Sequence, residues 1–332
     1  MLFFDKKVIY MPKVSVIIPI YNVEKYIERC ARSLFEQTLD DIEYIFIDDC
    51  SPDNSIHILN NVIREYPNRA NQIIVYAMPY NMGLPTVRKH GIYMATGEYI
   101  ANCDSDDWVD KDMYRIMYEK AIMNNCDIVK CNFVRCNEYY SQLCSTIPLS
   151  HFDNKSLLLS YFLKGTDLSS LCDKLIKRTL FKDNQIMHPV DNMLEDYVVT
   201  TQLLYYCNHI GYIDKVLYYY YQNPESICHG IDEPKILSRL SQQKTNVDLI
   251  IDFLNDKNIL HKYKKEVQTL KFSVREVLLP IIHKSGYHKI WNSIYPEINV
   301  FKLIGVKKKL TYILVSLHLY TFIKTLYDKL RK

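Results

Sequence analysis

The sequence predicts an α/β fold, a mostly parallel sheet flanked by helices, with a helical C-terminal region. Three observations point there. Continuous β-branched runs such as 14–20 (VSVIIPI) mark strands buried on both faces. Helical periods alternate with these runs at intervals of roughly 30 residues, the length of a strand–helix–strand unit. The polar clusters Tyr21-Asn22, Asp48-Asp49, Asn81 and Asp104 to Asp107 all fall at strand C-termini, the edge where such sheets collect ligands.

The elements follow in order. After the strand at 14–20, a helix is expected over about 23–37, with Ile27, Cys30, Ala31 and Leu34 at helical spacing. The run 43–47 (EYIFI) is a second buried strand and ends in Asp48-Asp49-Cys50-Ser51-Pro52-Asp53. Those residues turn the chain, and Asp53 or Asn54 can cap a helix running to about Tyr66. A third strand is expected at 73–77, then a loop through Asn81-Met82-Gly83 and a helix to Thr96. The fourth strand, 99–103, runs straight into Asp104-Ser105-Asp106-Asp107-Trp108. A helix at about 112–124 and a strand at 127–133 continue the pattern. Helices at about 154–164 and 194–207 and strands near 210–213 and 215–221 come next. Beyond about Pro234 the chain is helical and rich in lysine, with interruptions near Pro280 and Ser285-Gly286.

Composition excludes several functions. At 332 residues the chain suits one large domain or two moderate ones, and we expect a catalytic domain over 1–230 and a helical region over 231–332. A net charge of +3 is too small to imply a nucleic-acid partner. The ten cysteines contain no C-x-x-C pair in their densest stretch, so reduced, buried thiols are expected rather than a zinc site. The N-terminus has no apolar core or cleavage site of a signal peptide, which predicts a cytoplasmic protein. Only eight glycines are present, and neither G-x-G-x-x-G nor G-x-x-x-x-G-K occurs, so any nucleotide must be held by other means.

Asp104-Ser105-Asp106 is a D-x-D placed directly after a buried strand, with Asp107 adjoining. Carboxylates this close repel one another unless a cation sits among them. Mg²⁺ or Mn²⁺ accepts few carboxylates and completes its shell with phosphate oxygens and water. The pattern therefore points to a metal bridging the protein to a diphosphate, against the alternative of a solvated acidic turn. A calcium-binding EF-hand loop is excluded because its fifth and sixth positions would be Trp108 and Val109. A phosphatase of the haloacid-dehalogenase type would want a small hydroxyl residue where Trp108 stands. Asp48-Asp49 can accept from a base or ribose, or can serve turn and cap chemistry, and both readings stay open.

These residues resemble the inverting glycosyltransferases of family 2, which have the GT-A fold. The match spans roughly residues 12–230 through VSVIIPIYN, SLFEQTL, EYIFIDDCSPDNS, NMGLPTVRKHGIYMATGEYI, CDSDDW, LCDKLIKRTLF, LEDYVVTTQLL and YYYYQNPESI, in the family's order. The resemblance implies a nucleoside diphosphate sugar donor and a divalent metal. Pro19 and Tyr21 would line the base pocket, and Asp49, with Asp48 behind it, would contact a pyrimidine, so a UDP-sugar is expected. Asn81, Arg88 and Ser105 would lie along the donor, with Arg88 near the phosphates. Asp104 would touch ribose or metal, Asp106 would be the main metal ligand, and Asp107 beside it would belong to the same metal-binding set. Asp196, beside Glu195, would be the catalytic base; without the resemblance, the same pair is favourable helix-dipole placement. The family's glycine after the acid pair is Cys50 here, its Arg-Asn is Arg88-Lys89, and a frequent tryptophan is Cys172.

The acceptor implied is a glycan or lipid-linked glycan hydroxyl, in cell-surface polysaccharide synthesis. From Leu310 to Ile323 no residue carries a fixed charge, and this stretch is too short to span a bilayer. Tyr312, Val315, Leu319, Phe322, Leu326 and Leu330 fall on one helical stripe, with lysines at 307–309 before it and basic residues to Lys332 after it. Such a basic amphipathic helix can lie at a membrane surface, here the inner face of the plasma membrane, or pack on protein. Two other functions share the motifs. One is a catalytically silent sugar-nucleotide-binding subunit. The other is a sugar nucleotidyltransferase, which would need a glycine-rich basic loop where Tyr21-Asn22-Val23-Glu24 stands.

Overall fold

The structure is a computed structural model that describes residues 11–144, 154–164, 170–223 and 232–330. The chain forms two compact units: Met1–Asp153 with Ser170–Ile186 and Tyr206–Asn223, and Asn154–Ser169 with Met187–Tyr205 and Pro224–Lys332. This grouping differs from a single division at residue 230, because two stretches inside the expected catalytic region pack with the C-terminal helices.

The first unit is built on one sheet. Its strands are β1 (Val14–Ile20), β2 (Ile42–Asp48), β3 (Ile73–Ala77), β4 (Tyr99–Asn102), β5 (Trp108–Val109), β6 (Ile128–Cys136), β7 (Ser141–Cys144), β8 (Lys174–Lys177) and β9 (Ile210–Tyr221). The order is β3-β2-β1-β4-β8-β6-β9-β5, with β7 beside β6. β3, β2, β1 and β4 are mutually parallel, β8 is antiparallel to both β4 and β6, and β9 is parallel to β6. Six strands therefore run one way and β5, β7 and β8 the other, a mostly parallel sheet as expected.

β1 is buried along its whole length, as its unbroken β-branched sequence requires. Fully burying each such side chain contributes about 1.5–3 kcal/mol. Helices α1 (Ile27–Phe35), α2 (Ser55–Glu65), α3 (Leu84–Met94) and α4 (Met113–Met123) connect the strands. The packing of α3 on β1 depends on Gly91, where a Cβ would come within 2.4 Å of the Ile17 side chain. The expected strands at 210–213 and 215–221 are one strand, β9, whose pairing with β6 shifts register around Asn132. A bulge of this kind reads in sequence as a break. The short strands β5, β7 and β8 were not foreseen; two to four residues carry too little periodicity to register.

The second unit is helical. It contains α5 (Lys155–Leu163), α7 (Glu195–Tyr206, through Tyr205), α8 (Glu233–Asp256), α9 (Lys264–Glu276), α10 (Tyr287–Ser293), α11 (Val306–Ser316) and α12 (Tyr320–Leu330); α6 (Arg178–Asn184) belongs to the first unit. α5 joins α7 by the stacking of Phe162 on Tyr197, ring centroids 4.2 Å apart. α8 reaches the entry to α7 through Asn246, fully buried, whose amide donates to the carbonyls of Asp191 (3.0 Å) and Met193 (2.7 Å).

The C-terminal stripe is not one helix. The chain breaks between α11 and α12, with His318 at φ +59°. Val315 is buried and Tyr312 packs near Phe272, whereas Leu319, Phe322 and Leu326 are exposed. Among the described residues no helix is long and apolar enough to cross a membrane.

Candidate active site at the carboxyl edge of the sheet

The loops after β1 and β2 are locked together. Successive backbone amides at Asn22, Val23 and Glu24 donate to Ser51 Oγ (2.8 Å), Ser55 Oγ (3.1 Å) and Asp53 Oδ2 (2.8 Å). Glu24 Oε2 answers by accepting from the Asn54 amide at 2.9 Å. Asp53 also accepts from both hydroxyls, Ser51 Oγ (2.7 Å) and Ser55 Oγ (2.6 Å). Burial opposes ionisation of Asp53, but these bonds outweigh it and hold its carboxyl below the ordinary range. Asn22 and Cys50 both sit at φ +56°. Cys50 thus adopts a left-handed conformation that glycine takes freely, at a cost of about 1 kcal/mol.

Pro19 is buried on β1 and Tyr21, just past its end, is half exposed. Asp48 accepts from the Ser51 amide at 2.8 Å. Asp49 is 4% exposed and accepts from the amides of Met82 (2.7 Å) and Gly83 (2.9 Å), one on each oxygen. It therefore fixes the entry to α3, beside the exposed Asn81. Each of its oxygens keeps a second lone pair. One turn into α3, buried Arg88 donates to Asp104 Oδ1 at 2.5 Å. Asp49, the 82–83 amides, α3, Arg88 and Asp104 form one run of contacts along the carboxyl edge of β2, β1 and β4.

The three aspartates after β4 are in different environments. Asp104 is paired with Arg88 and also accepts from Cys172 Sγ at 3.3 Å. Asp106 is bonded by Asn223 Nδ2 at 3.2 Å, while its carbonyl accepts from Arg29 at 2.7 Å. Burial, then the charge of Asp104, push the Asp106 carboxyl up to about 6, against the opposing pull of Asn223 and Arg29. Asp107 has no exposed surface, and its oxygens accept from the Tyr218 hydroxyl and the Tyr221 amide (2.7 Å). Burial, then Asp106 and Asp104, raise its carboxyl well above the usual range. Asp107 is thus a brace between the acidic loop and β9. Ser105 is buried between its neighbours. Among the described residues no group of three His, Cys, Asp or Glu side chains is arranged to hold a metal.

Sequence reasoning missed the residues that support this loop. The Arg29 guanidinium lies between Trp108 (3.9 Å to the ring centroid) and Tyr221 (4.8 Å), and Trp108 stacks on Tyr219 at 5.2 Å. Tyr218 touches Asp107 and also lies 3.2 Å from the Asp104 amide nitrogen. The run of tyrosines at 218–221 held the signal: alternate residues of a strand must face opposite ways. Of the ten cysteines, nine are described; all nine are free thiols, eight buried and Cys50 exposed. Glu195 and Asp196 open α7 in the second unit, after Leu194 at φ +66°, with Glu195 buried and Asp196 half-buried. The end of the YYYYQNPESI motif, from Pro224, lies outside the described residues.

The profile of glycosyl transferase family 2 matches residues 15–181. The chain belongs to this family. EpsH of Bacillus subtilis (strain 168) is 30% identical over 263 residues, covering 78% of this chain and 74% of that one. Among solved structures, S. aureus TarS 1-349 in complex with UDP-GlcNAc superposes with a TM-score of 0.62 at 20% identity, covering 96% of this chain and 91% of that one. The mannosyltransferase PcManGT from Pyrobaculum calidifontis, in complex with GDP-Man and Mn2+, gives 0.54 at 15% identity, covering 97% and 89%. The fold of this family 2 glycosyltransferase is of the GT-A type, as the sequence motifs implied.

Proposed function

We propose that the protein is a metal-dependent, inverting glycosyltransferase that moves a hexosyl or N-acetylhexosaminyl group from a UDP-sugar to a hydroxyl of a glycan or lipid-linked glycan. The observation that carries this reading is the pairing of Asp104 and Asp106 at the end of β4, with Arg88 brought to them by a helix whose entry Asp49 fixes. The donor complexes of the two structural neighbours support a nucleotide sugar, and one of them supports a divalent ion.

The residues present fit such an ion. Burial, then the crowded charge of Asp104, raise the Asp106 carboxyl, an arrangement that a cation relieves. Two carboxylates with diphosphate oxygens are what Mg²⁺ or Mn²⁺ takes, and Asp104 and Asp106 would hold it without Asp107. When bound, the ion supplies positive charge to the departing diphosphate. Tyr21 and the Asp49 loop would receive the base, and Arg88, with Asn81 and Ser105, would orient the diphosphate. Asp196 would take the proton from the acceptor hydroxyl as it attacks the anomeric carbon, a role worth about 10²–10⁴ in rate. The basic C-terminal helices support work at the inner face of the plasma membrane.

The test is release of UDP from a panel of UDP-sugars by the full chain with Mn²⁺, with and without glycan acceptors. Asp196→Asn should lower acceptor-dependent release about 10²–10⁴-fold while UDP binding stays within a few-fold of wild type. Undiminished release by that variant would remove the base assignment; no release from any donor would remove the activity.

A further inference from the structure

A cavity of about 670 Å³ in the second unit is lined by His283, Lys284, His288, Lys289, Asn292 and His318, with hydroxyls from Ser285 and Thr321. No carboxylate occurs in its described lining. The cavity gathers side chains from α10, the segment before it and the break between α11 and α12. His318 reaches it from that break, its ring 3.9 Å from that of His288. Lys284 is anchored by Glu233 on α8 (2.6 Å), which also accepts from Tyr287. Lys289 is exposed and has no ion-pair partner among the described residues. Glu233 neutralises Lys284, whereas His288, His318 and Lys289 meet with no carboxylate in the lining; burial, then the charge of His318, hold the His288 imidazole below its ordinary range, and an anion among them would relieve that repulsion.

The charge distribution of the chain agrees. Between Asn299 and Lys332 eight Lys and Arg face one acid, Asp328, a net of +7 in a chain whose total is +3; residues 1–298 are therefore net −4. The same segment carries Phe301, Val306, Leu310, Ile313, Leu317, Leu319, Phe322, Ile323, Leu326 and Tyr327, ten of the 25 exposed large hydrophobic side chains among the described residues. The cavity thus takes His318 and Thr321 from this basic segment with many exposed apolar side chains.

From this arrangement we infer that the cavity is a phosphate-binding site, formed by His288, Lys289 and His318, for the phosphate group of a soluble ligand or of a lipid headgroup. The ammonium of Lys289 and imidazole N–H groups donate to phosphate oxygens, and the hydroxyls and Asn292 complete the shell. The site shares no residue with the proposed donor-binding set, so its test does not depend on transfer activity.

The test compares full-length protein with the double variant Lys289→Ala/His318→Asn, since asparagine tolerates the left-handed backbone at 318. Lys302→Ala, an exposed lysine outside the cavity, is the charge control. Binding of inorganic pyrophosphate is measured by calorimetry in EDTA, which disables metal-dependent binding at the donor site. Partitioning is measured on phosphatidylglycerol/phosphatidylcholine vesicles and on phosphatidylcholine alone. A loss of tenfold or more in pyrophosphate affinity in the double variant, with the control unchanged, supports the site with a soluble ligand. The same loss on the anionic vesicles only, again with the control losing less, supports the site with a lipid headgroup. If the double variant melts early, Lys289→Ala alone carries the comparison, with a several-fold loss expected. No saturable binding of either probe, or equal losses in variant and control, would overturn the inference.

Discussion

The acidic rim of the first unit and the last two helices of the second treat side chains in opposite ways. At the rim, polar groups are buried and bonded to one another: Asp49, Arg88 and Asp107 are each 5% exposed or less. Along α12 and the break before it, apolar groups are open to solvent, with Phe322 at 69% and Leu326 at 50%. A buried polar network is stable only if its members are satisfied, and here Asp104 is met by Arg88, while the carboxyl of Asp106, raised by burial and by Asp104, is the one a cation would relieve under the proposed function. An exposed apolar surface costs little locally and is retained where a partner or lipid covers it. The first region is defined by internal bonds, the second by what it lacks.

The comparison can be broken in several places. The largest effect is expected at Asp106: Asp106→Asn should lower Mn²⁺-supported donor turnover by about 10²–10³-fold while its melting temperature stays at or above that of wild type, since a crowded charge is removed. A stable variant with full turnover would detach the rim from the chemistry. Asp107→Ala should do the reverse. It orphans the Tyr218 hydroxyl and the Tyr221 amide, and denaturant unfolding should report a loss of about 1–3 kcal/mol for each group. UDP affinity of the folded fraction should change far less than in Asp106→Asn.

Asp53 gives a pH signature. Its carboxyl is lowered from 3.8 in the folded chain, so its contribution is present above that value and is lost as pH falls through the folded value. The gap in melting temperature between wild type and Asp53→Asn should therefore be widest at neutral pH and narrow below about pH 4; a gap independent of pH would show that the interlock does not rest on the charge. Cys50→Gly removes left-handed strain but frees the unfolded chain, so thermal melts should show a gain of at most about 1 kcal/mol. Smallest of all, truncation after residue 318 should change stability by less than about 0.5 kcal/mol, because the described α12 side chains are exposed except for Tyr320. Truncation after 305 should cost clearly more, because α11 carries buried Val315 and the ion pair of Lys308 with Glu276. Equal losses from the two truncations would erase the distinction drawn between the helices.

Legibility in the sequence followed the same divide. β1 and β2 could be placed because burial on both faces leaves an unbroken apolar run, β3 by its β-branched residues although it lies exposed at the sheet edge, and the acids after β4 because a strand must deliver them to one edge. The different fates of Asp106 and Asp107 could not be read, since adjacent acids look alike until Tyr218 and Tyr221 take one of them. Arg29 was hidden for a related reason: on α1 it reads as a solvent-facing helix residue, and only β5 and β9, distant in sequence, supply the rings beside it. The break at His318 carries neither glycine nor proline, so the apolar stripe continued past it without a signal. The cavity beside His288 joins residues about 30 positions apart, which no local pattern connects.

Calorimetric titration of UDP into the full chain, with Mn²⁺ and then with EDTA, tests the central claim most directly. Saturable binding that weakens at least tenfold on chelation, and a loss of that metal effect in Asp106→Asn, is the result predicted. UDP binding of equal strength with and without the ion, unchanged in the variant, would contradict it.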